Sequence, residues 1–139
     1  MRTVFVTGGT GLSGANVCQQ LIERGDAVQA LVRNPAEAAV LADIGVKLVQ
    51  GDIANLDDVI RASSACDAAV HCAALLGGAS QNLEDFHAVN VVGTTNVLDA
   101  ALANGLKRVV ALSTGPFLKR PPAVPCEESP VLDNPPDDP

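Results

Sequence analysis

Glycines near the N-terminus have the spacing of a loop that binds phosphate. Gly9, Gly11 and Gly14 form a Gly-x-Gly-x-x-Gly pattern between a short apolar run and an amphipathic segment. In a dinucleotide-binding loop the early glycines permit a tight turn, the second lets the backbone approach a pyrophosphate, and the third lets helix and strand pack closely. The first amides of the helix would face the phosphate charge. The expected nucleotide contacts here are Gly8, Gly9, Thr10, Gly11, Leu12, Ser13 and Gly14. The alternative is a tight strand-to-helix turn that binds no ligand.

The elements around this loop alternate between strand and helix. Apolar runs predict strands at residues 3–6, 27–32, 46–49, 68–72 and 108–112, and helical spacing predicts helices at 12–24, 35–43, 56–62 and 83–103. Asn34 with Pro35, and Asn55, have the positions of N-terminal caps, while Gly25 and Gly105 have those of C-terminal ends. Because each parallel pair needs a crossover, we expect an α/β fold, a Rossmann-like doubly wound parallel sheet with strand order 3-2-1-4-5.

The composition of the chain argues against several classes of function. The net charge is −7, and with no basic stripe or long apolar run we expect neither nucleic-acid nor membrane binding. The chain has no Trp, no Tyr and three Phe, so the core must consist mainly of Ala, Val, Leu and Ile. Its four cysteines form no Cys-x-x-Cys pair, so no metal site is expected. No signal peptide precedes Met1, and the expected compartment is the cytoplasm.

The composition changes after Gly115. Eight of the nine prolines lie beyond that residue, together with five acidic residues. Proline removes a backbone donor and fixes φ, so little regular structure is expected there. We therefore divide the chain into a nucleotide-binding domain at residues 1–115 and a Pro-rich acidic tail or loop at 116–139.

Further motifs follow the glycine loop in a recognisable order. They are Gly51-Asp52-Ile53, His71-Cys72-Ala73-Ala74, Asn90-Val91-Val92-Gly93-Thr94 and Arg108-Val109-Val110-Ala111-Leu112-Ser113-Thr114. Together with Thr-Gly-Gly-x-Gly-x-x-Gly, they resemble the extended branch of the short-chain dehydrogenase/reductase superfamily, which includes epimerases, dehydratases and dihydroflavonol-reductase-like enzymes. The resemblance covers about residues 1–115 and implies an NAD(P)-dependent oxidoreductase or epimerase acting on a carbonyl- or hydroxyl-bearing small molecule.

The resemblance also implies roles for individual residues. Asp52 and Ile53 would flank the adenine, and His71, Ala73 and Ala74 would lie beside the riboses. Asn90, on the long helix, would be one of the cofactor-binding residues. Thr114 would supply the catalytic hydroxyl, with Ser113 as the second choice. Three of these residues have simpler interpretations: Asp52 as a helix cap, His71 as a hydrogen-bonded residue at a strand end, and Asn90 as an ordinary helix residue, although a buried amide there would need a partner.

The chain departs from the family at the general acid. The family uses a Tyr with a Lys four residues later, and this chain has no Tyr. Residues 127–139 resemble the loop that precedes this Tyr in members of the family. We therefore interpret the chain as truncated before the later strands and expect it to be inactive alone. The alternatives are a non-catalytic dinucleotide-binding redox sensor and an inert remnant.

The end of the second strand bears on cofactor choice. NAD-selective folds place an acid there to bind the ribose 2′-hydroxyl, whereas this chain has Arg33. A guanidinium can bind a 2′-phosphate with two hydrogen bonds, so we expect NADP, with NAD possible. The alternative is that Arg33 stacks on adenine and tolerates both. The resemblance further suggests a homodimer through the long helix.

Overall fold

A computed structural model describes residues 1–78 and 82–113. Its strands are β1 (Thr3–Thr7), β2 (Ala27–Val32), β3 (Lys47–Gln50), β4 (Ala68–His71) and β5 (Arg108–Ala111). They form one sheet in the order β3-β2-β1-β4-β5, with every pair parallel, which confirms the predicted topology. In this register Thr7 pairs with both Leu31 and His71, so the carboxyl ends of the central strands meet at one edge.

The helices lie where the sequence predicts them, but their boundaries and helix types differ from the prediction. They are α1 (Leu12–Glu23), α2 (Ala39–Asp43), α3 (Leu56–Ser63), α4 (Leu83–Phe86) and α5 (Gly93–Ala103). Gly25 and Gly105 follow α1 and α5 with positive φ, as helix-ending glycines do. The single helix expected at 35–43 is instead a 3-10 segment, Pro35–Ala38, followed by α2. The Asn34 side chain caps this segment by accepting from the Ala36 N–H at 3.1 Å.

The long helix, residues 83–103, is continuous but not uniform. A π-helical segment, His87–Val92, separates α4 from α5. Just beyond it the Thr94 hydroxyl donates to the Asn90 carbonyl at 2.7 Å. A hydroxyl bond to the preceding turn competes with the backbone ladder and bends helices, and this bond lies directly after the π-helical segment.

Apolar side chains pack on both faces of the sheet. One core, which includes Val6, Cys18 and Leu41, lies between the sheet and α1 and α2. The other, which includes Phe5, Val59 and Val97, lies between the sheet and α3 and α5. The sheet is therefore doubly wound, and small branched residues fill it as the composition requires.

Two expectations concern residues that the structure does not describe. The lack of regular structure that we expect at 116–139 and the catalytic hydroxyl that we expect at Thr114 concern residues beyond 113. Within the described ranges, no helix is long and apolar enough to cross a membrane. In the same ranges, no three His, Cys, Asp or Glu side chains are grouped as metal ligands.

Candidate functional site

An open cleft of about 280 Å³ lies at the carboxyl ends of β1, β2, β3 and β4. This is the edge where open α/β sheets bind ligands. Its lining residues are Thr7, Gly8, Thr10, Gly11, Leu31, Val32, Arg33, Gly51, Asp52, Ile53, Cys72, Ala73, Ala74, Leu75 and Val89.

The glycine loop forms the floor of the cleft. Gly8 has φ +70°, and a Cβ there would lie 2.5 Å from the Ala73 nitrogen, so a side chain is excluded. A Cβ on Gly14 would lie 2.1 Å from the Gly8 carbonyl oxygen, which is far inside contact distance. By contrast, a Cβ on Gly11 would meet only that same oxygen, at 3.4 Å. Gly8 and Gly14 are thus required for packing, whereas Gly11 leaves open space beside the backbone.

The start of α1 suits an anion. Gly11 occupies its N-cap position, no side chain caps it, and its first turn has no acidic residue. Uncapped amides at a helix N-terminus, together with the helix dipole, favour a negatively charged ligand. The open space at Gly11 and these amides fit the pyrophosphate of a dinucleotide.

A second wall is held by Asp58 of α3. Its Oδ2 accepts from the Asp52 N–H at 3.0 Å, and its Oδ1 accepts from Arg61 at 2.8 Å. The bond from the Asp52 backbone is the largest cause that lowers the pKa of the Asp58 carboxyl, and Arg61 adds to it. Gly51 is required for this contact, because a Cβ there would lie 2.8 Å from the Asp58 Cβ.

Asp52 makes the local turn that its simpler interpretation predicts, and it also lines the cleft. Its Oδ1 accepts from the Ala54 N–H at 2.8 Å. Ile53 beside it is buried, and its carbonyl accepts from the buried Asn96 amide of α5 at 2.9 Å. The strand-end motif therefore forms a rigid wall, as an adenine pocket requires.

His71 is buried at the end of β4 and does not line the cleft. Its Nδ1 lies 2.7 Å from the Thr7 hydroxyl, and its Nε2 lies 2.9 Å from the Thr94 hydroxyl. Burial lowers the pKa of the ring, which favours the neutral form. Its contacts are those of the hydrogen-bonded strand-end histidine, and its place beside the riboses stays a prediction.

Asn90 is exposed rather than buried. It nevertheless has a partner: its Oδ1 accepts from the Leu75 N–H at 2.7 Å, and its Nδ2 donates to the Leu75 carbonyl at 2.9 Å. Asn90 does not line the cleft, but Leu75 does. The side chain therefore holds a wall of the cleft to the long helix.

Arg33 lies at the rim. It is exposed and lines both the cleft and an adjoining open groove, which it shares with Gln50, Gly51, Asp52 and Asp58. No ion pair engages its guanidinium within the described part of the chain. A guanidinium in this position is available to a ligand in the groove.

The cleft contains eight of the predicted nucleotide-binding residues. They are Gly8, Thr10, Gly11, Arg33, Asp52, Ile53, Ala73 and Ala74. Six do not line it, namely Gly9, Leu12, Ser13, Gly14, His71 and Asn90. Ser113 is exposed beyond β5, and Thr114 lies outside the described residues.

Sequence reasoning did not select several residues that line the cleft. They are Thr7, Leu31, Val32, Gly51, Cys72, Leu75 and Val89. Most of them end a strand or directly follow one, so the rule that ligands bind at the carboxyl ends of parallel strands could have identified them. Val89 carries no such signal, because it comes to the cleft on the long helix.

Known proteins of this fold share both sequence and structure with the chain. Residues 4–139 match the model of the NAD dependent epimerase/dehydratase family. A short-chain dehydrogenase/reductase superfamily protein from Agrobacterium tumefaciens, solved with bound NAD, superposes with a TM-score of 0.77 at 30% identity, over 95% of this chain and 39% of that one.

Two of the curated relatives that the chain matches are reductases. A 4-hydroxy-2-methyl-3-oxo-4-farnesyl-3,4-dihydroquinoline-1-oxide ketoreductase from Stigmatella aurantiaca is 38% identical over 82% of this chain and 34% of its own length. A 2-alkyl-3-oxoalkanoate reductase from Stenotrophomonas maltophilia is 38% identical over 80% of this chain and 33% of its own. The chain thus spans about a third of the length of these relatives. With its glycine loop, its parallel sheet and the match over residues 4–139, the chain belongs to the NAD-dependent epimerase/dehydratase family of the short-chain dehydrogenase/reductase superfamily.

Proposed function

We propose that this chain supplies the NADP-binding part of an oxidoreductase or epimerase that acts on a carbonyl- or hydroxyl-bearing small molecule. The observation that carries the proposal is the cleft at the strand ends, where the uncapped start of α1 and the open space at Gly11 meet the wall at Asp52 and Ile53. When bound, the dinucleotide would supply the hydride chemistry, while this chain binds and orients it.

The preference for NADP rests on Arg33. Its guanidinium lies at the rim beside the end of β2, where an NAD-selective site would have a carboxylate. A charge-assisted bond to a 2′-phosphate contributes about 1.5–3 kcal/mol, which corresponds to a preference of about ten- to a hundredfold. The carboxylates of Asp52 and Asp58 share the groove and oppose that preference, but Arg61 offsets the charge of Asp58.

Titration of NADPH and NADH into the 139-residue chain tests this assignment. We expect Arg33→Ala to weaken NADPH binding about ten- to a hundredfold and to change NADH binding little. Lys107→Ala is the matched control, because Lys107 is exposed and immediately precedes β5, at the opposite end of the strands. Equal affinities in the unchanged chain would favour a guanidinium that stacks on adenine and tolerates both cofactors. An Arg33→Ala chain that keeps its NADPH preference would refute the assignment, because the preference would then have another source.

We further propose that these 139 residues bind nucleotide without turnover. The sequence contains no Tyr to act as the tuned general acid, and loss of a positioned general acid typically costs about 10²–10⁴-fold in rate. An assay with a panel of ketones and NADPH, following the reduced cofactor, checks this. Turnover that is lost in Ser113→Ala or Thr114→Ala would contradict it. Nucleotide binding without turnover in the complete protein would instead favour the redox-sensor alternative.

The long helix is the proposed interface of a homodimer. Four of its apolar residues are exposed on one stripe: Leu83 at 70%, Val91 at 52%, Leu98 at 47% and Leu102 at 81%. An apolar stripe of this length on a helix is suited to pack against a second copy. We expect Leu98→Glu to shift the sedimentation-equilibrium mass towards the monomer. Val40→Glu is the control, because Val40 is also apolar and is more exposed, at 74%, but lies on α2; we expect it to leave the mass unchanged. A monomeric unchanged chain would exclude this interface.

A further inference from the structure

Polar side chains on three elements meet beneath the wall of the cleft at residues 73–75. They are Thr7 on β1, His71 on β4, and Asn90 and Thr94 on the long helix. His71 lies 64 residues from Thr7 and 23 residues from Thr94 along the chain, so only the fold brings them together. Every buried polar side-chain atom among the described residues has a hydrogen-bond partner, and the contacts of His71 with Thr7 and Thr94 are among these hydrogen bonds.

The directions of these hydrogen bonds follow from one carbonyl. The Asn90 carbonyl can only accept, so the single hydroxyl proton of Thr94 points to it at 2.7 Å. The Thr94 oxygen must then accept from His71 Nε2 at 2.9 Å. A neutral ring that carries its proton on Nε2 accepts at Nδ1, so the Thr7 hydroxyl donates to Nδ1 at 2.7 Å.

The two ends of this series hold the same wall. The Thr7 oxygen accepts from the Ala73 N–H at 3.3 Å, and the Asn90 side chain pairs with both backbone groups of Leu75. Residues 73 and 75 are therefore both tied to the turn at residues 90–94. Ala73 and Leu75 line the cleft, whereas His71, Asn90 and Thr94 do not.

We propose that His71 is a positioning residue, which ties the wall at residues 73–75 to the turn at 90–94 and thereby sets nucleotide affinity without touching the nucleotide. The effect on affinity rests on the proposed NADP-binding function, but the tie itself does not. A ring with its proton on Nδ1 would present a donor to Thr7, so the Thr7 hydroxyl would lose its acceptor. The Thr94 hydroxyl would then have two acceptors for one proton.

The tautomer is the first test, and it is read on the unchanged chain. Two-bond ¹⁵N–¹H correlation spectra at pH 8 distinguish a ring protonated on Nε2 from one protonated on Nδ1. We expect His71 to carry its proton on Nε2. A ring protonated on Nδ1 would overturn the proposal, and this measurement decides it even where a variant does not fold.

A matched pair at Thr94 is the second test. Thr94→Val removes the hydroxyl and keeps the shape, whereas Thr94→Ser keeps the hydroxyl. We expect Thr94→Val to bind NADPH about two- to tenfold more weakly, the net value of one hydrogen bond, with faster amide exchange at Ala73 and Leu75. We expect Thr94→Ser to remain close to the unchanged chain, and exchange in β3 to be unaffected in both variants.

The outcomes separate the two proposals. A Thr94→Val chain with unchanged affinity and unchanged exchange at Ala73 would refute the role of His71. Loss of affinity in Thr94→Ser equal to that in Thr94→Val would refute it as well, because the hydroxyl would not be the cause. If the unchanged chain binds neither NADPH nor NADH, the proposed function fails, and the tautomer and the amide exchange still decide the tie.

Discussion

Gly11 and Gly14, three residues apart in one loop, should respond differently to the same added methyl group. In Gly14→Ala, the new Cβ would lie 2.1 Å from the Gly8 carbonyl oxygen and 2.9 Å from the Gly9 Cα. These are backbone atoms, so α1 itself must move away from β1. Overpacking a rigid site costs about 1–3 kcal/mol, and a clash with backbone belongs at the upper end of that range.

A helix gain offsets part of this cost. Gly14 lies inside α1, where Ala is better than Gly by about 0.5–1 kcal/mol. We therefore expect Gly14→Ala to lower the free energy of unfolding by about 2 kcal/mol and Tm by about 5–10 °C. NADPH affinity should fall as well, because α1 carries the amides that face the pyrophosphate.

Gly11→Ala should instead separate binding from stability. Its Cβ meets only the Gly8 oxygen at 3.4 Å, and its φ of −83° is open to any residue. The methyl group would occupy the open space of the cleft, so we expect NADPH to bind at least about tenfold more weakly, while Ala at an N-cap costs less than about 1 kcal/mol of stability. Thermal unfolding and NADPH titration of both variants measure the contrast. A Gly14→Ala chain as stable as the unchanged one, or a Gly11→Ala chain with unchanged NADPH affinity, would refute this account of the loop.

Three further changes test the supports of the site. Burial lowers the pKa of His71 below its ordinary value of 6.5, so the unfolded chain binds the extra proton first. We expect the His71 contribution to Tm to be constant above about pH 6.5 and to be lost as the pH decreases below it, so that Tm falls less in His71→Gln. The Asp58 carboxyl should titrate below 3.8 in ¹³C NMR, and Arg61→Ala should restore only part of the shift because a backbone N–H is the larger cause; full restoration would contradict this order. Asn96→Ala leaves the buried Ile53 carbonyl without its 2.9 Å partner, and urea unfolding should show a loss of about 1–3 kcal/mol.

The features that could be predicted from sequence are those with local causes. The strand order follows from the alternation of strands and helices, and it is the one observed. The ends of α1 and α5 were marked by Gly25 and Gly105, whose positive φ is a local property of glycine. The glycine loop was identified for the same reason, since its spacing, the strand before it and the helix after it are all adjacent in sequence.

The features that escaped prediction depend on contacts between distant residues. The π-helical segment lies within a sequence with ordinary helical spacing, and the Thr94 hydroxyl that follows it lies 2.9 Å from Nε2 of His71, a residue 23 positions away in the sequence. Asn104 directly precedes Gly105, which marked the helix end in the sequence, and its amide donates to the Ile60 carbonyl and the Ser63 hydroxyl at 2.9 Å, which joins the end of α5 to α3. An amide residue at the edge of an apolar pattern was the available signal, although it does not name its partner.

The difference between these two groups of residues explains why a family motif can locate a residue near the cleft without indicating what its side chain contacts. The side of the cleft that we propose for the pyrophosphate is built from backbone, so the absence of a side chain at Gly11 would itself be the binding feature, and it can be read from the sequence. On the other side, Asn90 and His71 belong to motifs of the family yet contact protein rather than the cleft. Their polar atoms are satisfied by Leu75, Thr7 and Thr94, so a substitution there would change the position of a wall before it changed any direct contact with a ligand.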